Sequence, residues 1–500
     1  MIYNKTTYPS RSGGYSYTIK NFLNGISVGE YDDGMLAPST AVSSYNFDFS
    51  GGKLKSGVGF KDSILELFDQ DVHEKIKQDL ASVGSIIKTF IYRNYNQDRD
   101  EREDKLLLLS EDLNLFILNL KGGNREFIRE RNIVFTSVPN AISYRLDGED
   151  VLIFTSLTDN MVVYDGKNQP YEVLDAPKVS SMDLHFERLF VTTSDERSRI
   201  VFSDDLDPTM WSIDLSEAGF IEMVDERGAL GRVISFGDYL YIFRDYGISR
   251  LTAFGDQEGF SLAHLFVSSA KIFPESVSVC GDRILFLASN GLYSFDGFST
   301  TKILDNLAVC IDRNNSKSIG AFFEGKYYLA CNLKFEADDC FDESEFVNNT
   351  LLVYDIRTKK YKIIRGVDTI SITPAIVGGY EKLYICARDS KDKKYCVVTI
   401  DDSGTFCGNP LEKVWKTGFY SFGENKPQKC MRSVSVECKN GGNIKVISDS
   451  GESKIIDLID GMHKYNFFVF GSKFSFEFRS RNFNCEIFNP EITFFVGGGY

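Results

Sequence analysis

Alternating runs of apolar and polar residues along the chain predict a series of β-hairpins. In the stretch ILFLASNGLYSFDG, from Ile284 to Gly297, two apolar runs flank the turn residues Ser289, Asn290 and Gly291. Two apolar runs joined by a short polar turn are typical of antiparallel strands connected by a tight turn. This stretch therefore predicts one hairpin.

The same pattern occurs in seven copies along the chain. The first apolar strand of each copy begins at Leu106, Val151, Leu189, Leu240, Ile284, Tyr327 and Leu383. These starts lie about 46 residues apart on average, a spacing typical of propeller blades. A further strand precedes each copy, as in VISFGDYLYIF. One small sheet leaves its faces and edges open to solvent, and packing several blades around an axis covers them. We predict an all-β fold with a β-propeller of six to eight blades, seven favoured; a long β-sandwich is the alternative.

The segments outside the repeats have different patterns. Residues 1–60 are rich in Gly, Ser, Asn and Asp, which predicts an extended N-terminal arm. Residues 61–105 are predicted to form a helix and a lead-in strand, because apolar residues recur at three- and four-residue steps from Ile64 to Leu80. The propeller is predicted over residues 106–405. In residues 412–500, apolar and polar residues alternate with a period of two, which predicts a C-terminal antiparallel β domain.

The composition supports a β-rich protein and restricts its partners. Aromatic residues make up 14% of the 500 residues, and 41 Gly accompany only 11 Pro. The net charge of −15 argues against specific nucleic-acid binding, because neutralising phosphates requires a basic surface. The sequence has no apolar run of membrane-spanning length and no signal-peptide pattern, so we expect no membrane span.

The ten cysteines all lie in the second half of the chain and include no C-x-x-C pair. This spacing favours reduced core residues over a zinc site or a disulfide framework. Cys386 and Cys396 flank one predicted hairpin and could face each other.

No catalytic motif is present, so we predict no enzyme activity, no cofactor and no metal. The four His are scattered, and H-E-x-x-H, G-x-S-x-G and Walker patterns are absent. The acidic segment from Glu336 to Glu345 lacks calcium-loop spacing and is interpreted as a solvated insertion. The stretch SDDLDPTMW is similar to the Asp-box of sialidases, which braces a hairpin, so Ser203, Asp205 and Trp211 are predicted to be structural.

The N-terminal segment carries the most distinctive string, LAPSTAVSSYNFDFSGGKLKSGVGF, from Leu36 to Phe60. It resembles the opening of tailed-bacteriophage virion proteins of the tail nozzle or head-to-tail stabilisation type, although the arginine of the family pattern is absent. IVFSDDLDPTMWSI and GDYLYIFRDYGISRLTAFG are similar to later parts of that family. The residues that carry the match are Asn24, Gly25, Pro38, Asn46, Asp48, Gly51, Gly52, Leu54, Gly57, Gly59 and Phe60.

The resemblance implies a structural protein of a phage tail or neck. Copies would form a ring around the DNA path, contact portal, connector or other tail proteins, and let double-stranded DNA pass without specific binding. The protein would belong to the virion and assemble in the bacterial host cytoplasm. Alternatives are a receptor- or carbohydrate-binding propeller at a tail tip and a propeller glycoside hydrolase.

The arm is predicted to bind a neighbouring copy or a connector subunit by strand addition, because its hairpin pattern exposes backbone groups that require partners. We therefore expect a chain without residues 1–60 to keep a folded propeller that no longer joins its particle.

Overall fold

The structure is a computed structural model that describes residues 14–27, 36–96, 101–120, 127–335, 343–377, 380–423 and 428–496. The described chain begins with five short strands, which are β1 (Gly14–Thr18), β2 (Ala41–Tyr45), β3 (Phe47–Asp48), β4 (Leu54–Ser56) and β5 (Gly59–Asp62). Two 3₁₀ turns (Leu65–Leu67 and Gln70–Val72) and the helix α1 (His73–Val83) follow.

The helix is shorter than the apolar spacing predicts. Residues 59–62 pair as a strand, and the Asp62 Oδ1 atom accepts hydrogen bonds from the N–H groups of Ile64 and Leu65 at 2.9 and 2.8 Å. These bonds start a tight turn in place of an α-helix. The α-helix ends at Gly84, whose φ of 85° suits a glycine cap.

Antiparallel sheets then follow one another along the chain. Blade 1 contains β6 (Ile86–Tyr92), β9 (Lys105–Ser110), β10 (Leu115–Asn119) and β11 (Phe127–Glu130), with the hairpin β7 (Tyr95–Asn96) and β8 (Glu101–Arg102) inserted. Blade 2 contains β12 (Asn140–Leu146), β13 (Glu149–Thr155), β14 (Met161–Tyr164) and β15 (Tyr171–Val173). Blade 3 contains β16 (Val179–His185), β17 (Arg188–Thr193), β18 (Arg199–Phe202) and β19 (Gly219–Glu222).

Blade 4 contains β20 (Leu230–Phe236), β21 (Tyr239–Arg244), β22 (Gly247–Thr252) and β23 (Ser261–Val267). Blade 5 contains β24 (Ser278–Val279), β25 (Ile284–Ala288), β26 (Gly291–Phe295) and β27 (Thr300–Ile303). Blade 6 contains β28 (Ile319–Phe323), β29 (Lys326–Cys331), β30 (Thr350–Asp355) and β31 (Tyr361–Arg365). Short 3₁₀ helices lie at Gln257–Gly259, Pro274–Ser276 and Asp305–Cys310.

Blade 7 is completed by a strand from the N-terminal segment. Its own strands are β32 (Val367–Val377), β33 (Tyr380–Asp389) and β34 (Cys396–Asp401), followed by the short strands β35 (Thr405–Phe406) and β36 (Asn409–Pro410). Strand β5 pairs with β34 in the register Asp62 to Val398, so it supplies the fourth strand.

Each pair of neighbouring blades shares a hydrophobic cluster, and these clusters close the ring. Phe90 and Phe154 join blades 1 and 2 with ring centroids 5.3 Å apart. The last cluster packs Tyr384 of blade 7 against Leu106 and Leu108 of blade 1. Since the first strands of neighbouring blades also contact one another, as β16 and β20 do, these strands surround a common axis. The fold is a β-propeller, with seven blades in the described part of the chain.

All seven predicted strand starts lie in or directly beside the second strands of the blades, β9, β13, β17, β21, β25, β29 and β33. The stretch from Ile284 to Gly297 contains β25 and β26, which pair from Ala288 and Gly291 across a two-residue turn. The predicted hairpins are therefore confirmed.

The C-terminal strands form a β-sandwich. They are β37 (Lys413–Thr417), β38 (Lys429–Lys439), β39 (Asn443–Ser448), β40 (Ser453–Asp457), β41 (Gly461–Gly471), β42 (Phe474–Ser480) and β43 (Glu486–Val496). One sheet has the order β3-β4-β43-β38-β41, and the other has the order β2-β37-β42-β39-β40. Buried residues of both sheets, such as Val434 and Phe476, belong to one hydrophobic cluster.

The N-terminal segment is part of this sandwich, which corrects the expectation of an arm that pairs with another subunit. Strand β1 pairs with β43, β2 pairs with β37, and β4 pairs with β43. Several described apolar residues of the segment, including Phe22, Tyr45 and Leu54, are buried in the sandwich core. A segment with too few apolar residues for its own core can share the core of a neighbouring sheet.

Candidate assembly surface

Asn46 is a buried junction between the propeller and the sandwich. Its Nδ2 atom donates to the carbonyl oxygens of Arg365 at 3.0 Å and Glu412 at 2.7 Å, and its Oδ1 atom accepts from the Arg365 N–H at 3.0 Å. Arg365 lies in β31 of blade 6, and Glu412 directly precedes the sandwich strand β37. The φ of Asn46 is 60°, a left-handed conformation that asparagine tolerates better than most residues. One side chain therefore connects three segments.

A second set of contacts reinforces this junction. The Asp48 carboxylate pairs with Lys362 of β31 at 3.0 Å and accepts the Ser50 N–H at 2.9 Å. Burial raises the pKa of Asp48, but the Ser50 hydrogen bonds and the Lys362 ammonium outweigh burial and leave the pKa below its usual range. A Cβ atom at Gly57 would lie 2.7 Å from the Asn46 carbonyl oxygen, so only glycine allows this close approach.

The earlier residues of the predicted arm form turns beside the sandwich. The Asn24 Nδ2 atom donates to the Ser39 hydroxyl at 2.8 Å, and Gly25 has a φ of 67°. Pro38 is buried in a turn closed by a 2.8 Å hydrogen bond between the Thr40 N–H and the Ala37 carbonyl. Proline is favoured at this position because its ring fixes φ near the value that the turn requires.

The later residues of the predicted arm pack into both domains. Gly51 and Gly52 belong to the turn before β4, and Leu54 lies in the sandwich core. Gly59 and Phe60 lie in the closing strand β5, where the Phe60 ring packs 5.7 Å from the Phe406 ring. The eleven predicted residues thus lie in or beside the sandwich and in the strand that closes blade 7, and their role in assembly stays a prediction.

Strand β41 is an exposed edge of the sandwich. It is the last strand of its sheet, and no other described strand pairs with its outer side. Phe467 and Val469 are buried, whereas Phe468 and Phe470 are 64% and 46% exposed. Long exposed edge strands with apolar side chains are sites where another chain can add. We call this strand, with Phe468 and Phe470, the β41 edge.

The surroundings of the β41 edge carry charges of both signs. The segment 461–473, GMHKYNFFVFGSK, has two lysines and no acidic residue, and Arg432 of β38 lies over the Phe495 ring at 5.1 Å. At one end of the strand, Glu452 accepts the Phe470 N–H at 2.7 Å and the Ser450 hydroxyl donates to the Phe470 carbonyl at 3.0 Å. The period-two alternation within residues 412–500 was the sequence signal for strands in this domain.

Asp204 and Asp207 brace the hairpin that begins at Ser203, whereas the Asp-box pattern had selected Asp205. The Ser203 hydroxyl oxygen accepts the Leu189 N–H at 3.1 Å, while Asp204 accepts the Glu217 N–H at 2.9 Å and Asp207 accepts the Thr209 N–H at 2.9 Å. Asp205 is exposed. The reason is local, because the missing glycine and the extra residue of this loop move the turn along the chain.

Both tryptophans are buried. Trp211 is 7% exposed and packs in the cluster between blades 2 and 3. Trp415 lies in the sandwich core, where the Phe22 ring meets it edge-on at 5.2 Å. Neither indole offers an open face for stacking a sugar.

The cysteines and histidines of the described residues show no arrangement for metal binding. Cys386 and Cys396 do not face each other, because Cys386 packs toward blade 1 and Cys396 packs toward blade 6. They occupy opposite faces of blade 7, since Cys386 pairs with Val397 and Cys396 pairs with Ala387.

His185 is a buried, neutral histidine at the end of β16. Its Nδ1 atom lies 2.9 Å from the Ser235 hydroxyl, and its ring centroid lies 4.4 Å from that of Phe186. Burial lowers the pKa of His185 to about 4, although the Asp238 carboxylate acts in the opposite direction. Within the described ranges, no helix has the length and apolar character needed to cross a membrane.

Comparisons with known proteins find likeness only among solved structures. No protein-family model matches this chain, and no curated protein matches it. BBS1N, solved in complex with ARL6DN, aligns at 13% identity over 64% of this chain and 94% of that chain, with a TM-score of 0.39. Hsv2p of Kluyveromyces lactis aligns at 9% identity over 56% and 97%, with a TM-score of 0.33. The Cps50 (Swd1) propeller domain of Myceliophteria thermophila aligns at 12% identity over 52% and 80%, with a TM-score of 0.31.

Proposed function

We propose that this chain is a structural protein of a phage tail or neck, of the tail nozzle or portal-proximal stabilisation type. Copies form a ring around the DNA path and contact portal, connector or other tail proteins. In this proposal the protein is part of the virion, assembles in the bacterial host cytoplasm and takes part in genome ejection without catalysing a reaction.

The observation that carries the proposal is the β41 edge. An eleven-residue edge strand with Phe468 and Phe470 exposed is a surface that soluble monomers usually protect with charges, proline or short strands. Covering such an edge by another subunit satisfies its backbone groups and removes two phenylalanine rings from water. Assembly is therefore the function that explains this edge.

The joint around Asn46 supports the same function. Its buried hydrogen bonds and the Asp48 to Lys362 ion pair fasten the sandwich to blade 6, so the β41 edge is held at a defined position on the propeller. The net charge of −15 fits a ring through which DNA passes, because an acidic protein does not by default hold phosphates.

The test is an assembly experiment with purified protein mixed with portal or connector particles. Negative-stain images and mass photometry are expected to show rings with the wild-type chain. A chain with Phe468→Ser and Phe470→Ser is expected to lose them. Phe483→Ser is the matched control, because Phe483 is an exposed phenylalanine of the same sandwich that lies outside β41.

A wild-type chain that stays monomeric with every portal and connector preparation would contradict the proposal. If that monomer also bound a host surface polysaccharide, the receptor- or carbohydrate-binding alternative would replace it. Cleavage of the polysaccharide would favour the glycoside hydrolase.

A further inference from the structure

Cys396 and Cys407 form a pair of free thiols in blade 7. Most described cysteines are buried, but Cys407 is exposed and Cys396 is partly exposed. The two thiol groups are hydrogen-bonded to each other. Two free thiols in contact, one of them open to solvent, are the arrangement that thiol–disulfide exchange requires.

Backbone and side-chain contacts hold the turn of Cys407 beside Cys396. The Cys407 N–H donates to the Phe60 carbonyl at 2.8 Å. Two residues further on, the Asn409 Nδ2 atom donates to the Asp389 Oδ2 atom at 2.9 Å. Because Asp389 ends β33 and Cys396 begins β34, this bond places the turn of Cys407 at the end of the blade where Cys396 lies.

The turn that carries Cys407 normally favours other residues. Strands β35 and β36 pair from Phe406 and Asn409, so Cys407 and Gly408 are the two central residues of a hairpin turn. Their φ values are 48° and 89°. Such a turn is of type I′, in which asparagine, aspartate or glycine usually precedes the glycine. Local turn preference therefore does not explain this cysteine, whereas its contact with Cys396 gives the thiol a role.

The two cysteines lie on either side of the closing strand β5. Strand β34, which begins at Cys396, pairs with one edge of β5, and β35, which directly precedes Cys407, pairs with the other edge. A covalent bond between the two sulfurs would close the loop 396–407, which brackets β5. Cross-linking a loop restricts the opened chain more than the native chain, so this bond would favour the state in which β5 stays in blade 7.

We propose that Cys396 and Cys407 form a disulfide that locks β5 into blade 7 when the protein meets an oxidising environment. The oxidant is a low-molecular-weight disulfide such as oxidised glutathione. The Cys407 thiolate attacks one sulfur of that disulfide and releases one glutathione thiolate. The Cys396 thiolate then attacks the Cys407 sulfur and releases the second glutathione thiolate. The two protein thiols are oxidised, the glutathione disulfide is reduced, and the two released thiolates take up the two protons.

The surroundings of the two sulfurs determine the order of these steps. Cys407 is exposed, so a dissolved disulfide reaches it first. The hydrogen bond with Cys407, burial and the Asp62 carboxylate raise the pKa of Cys396 and keep it protonated. Since the thiolate is the attacking species, closure by Cys396 is the slower step and should become faster as the pH rises.

The timing of the bond rests on the proposed function, whereas the chemistry of the two thiols does not. A bacterial cytoplasm keeps thiols reduced, so β5 can enter blade 7 and copies can assemble before the bond forms. Disulfides persist at virion surfaces outside the cell. The bond would then hold the propeller closed in the released particle.

The test treats the purified full chain with glutathione and maps its cysteines by maleimide labelling and mass spectrometry. In oxidised glutathione we expect the Cys396 and Cys407 peptides to be joined, with the loss of two hydrogen atoms. In an excess of reduced glutathione we expect both cysteines to carry the label. Hydrogen exchange of the amides of β5 should slow at least about tenfold on oxidation, because the cross-link disfavours the opened state.

Two variants each remove one sulfur. Cys407→Asn suits the positive φ of the turn, and Cys396→Ser is the reciprocal change. Neither variant should form the bond or change the exchange of β5 in oxidised glutathione. Cys430→Ser is the matched control, because Cys430 is a partly exposed cysteine of the sandwich, and this variant should form the bond as wild type does. If a variant misfolds, the mapping of the wild-type chain decides.

The outcomes separate this inference from the proposed function. Two thiols that stay free in oxidised glutathione, or a Cys407 that stays bound to glutathione, would overturn the disulfide. A bond that leaves the exchange of β5 unchanged would overturn the lock, and one that persists in excess reduced glutathione would overturn the timing. These measurements use the unassembled chain, so a chain that never assembles with portal or connector would overturn the proposed function and leave the bond standing.

Discussion

Replacing Asn46 with alanine should loosen the joint between the propeller and the sandwich. The substitution removes three hydrogen bonds and leaves the Arg365 N–H, the Arg365 carbonyl and the Glu412 carbonyl without that partner in a buried site. Each hydrogen bond lost at this buried site costs about 1 kcal/mol. Alanine at a φ of 60° adds about 1 kcal/mol, because its Cβ disfavours the left-handed region. Together, Asn46→Ala should lower the free energy of unfolding by about 4 kcal/mol.

The assay uses the two tryptophans of the chain. In a Trp211→Phe background, Trp415 in the sandwich core is the remaining tryptophan, so its fluorescence during urea unfolding reports the sandwich. Asn24→Ala in the same background is the matched control, because Asn24 is exposed and its amide donates to two hydroxyls, so the substitution should cost less than about 1 kcal/mol. Hydrogen exchange of the Arg365 amide provides a local readout, since this N–H donates to Asn46. An Asn46→Ala chain that unfolds within about 1 kcal/mol of wild type, with the Arg365 amide still protected, would refute the reasoning.

Three further predictions concern the rest of the fold. In the unfolded chain His185 takes up a proton below its ordinary pKa of 6.5, whereas in the folded chain it does so only below a pKa of about 4. The free energy of unfolding should therefore fall as the pH drops through this window, by about 2 kcal/mol between about pH 7 and about pH 5. Urea unfolding midpoints measured at both pH values should show a smaller drop for His185→Gln than for wild type. Trp211→Ala should cost about 3 to 5 kcal/mol because the indole fills the seam between blades 2 and 3, while Ile213→Ala, at an exposed position two residues away, should leave the melting temperature nearly unchanged. Deleting residues 1–60 should open the ring and unfold the sandwich, because the deletion removes β1 to β4 and half of the closing strand β5; calorimetry that shows an intact propeller transition would contradict this.

The blade hairpins could be predicted from the sequence because their information is local. Apolar runs separated by turn residues specify two neighbouring strands, and all seven predicted strand starts are confirmed in the second strands of the blades. The period-two pattern of residues 412–500 likewise indicated a β domain with one buried face, and in β41 the structure buries Phe467 and Val469 while Phe468 and Phe470 stay exposed.

Pairing between distant segments was decided only by the tertiary structure. Strand β5 pairs with β34 across more than three hundred residues, and β1 pairs with β43 from nearly opposite ends of the chain. No local pattern of residues 1–60 identifies these partners, because a backbone edge bonds equally well to any strand that arrives beside it. The segment was therefore expected to pair with another subunit. In the structure it pairs instead within its own chain, where blade 7 lacks a fourth strand and the sandwich sheets have open edges.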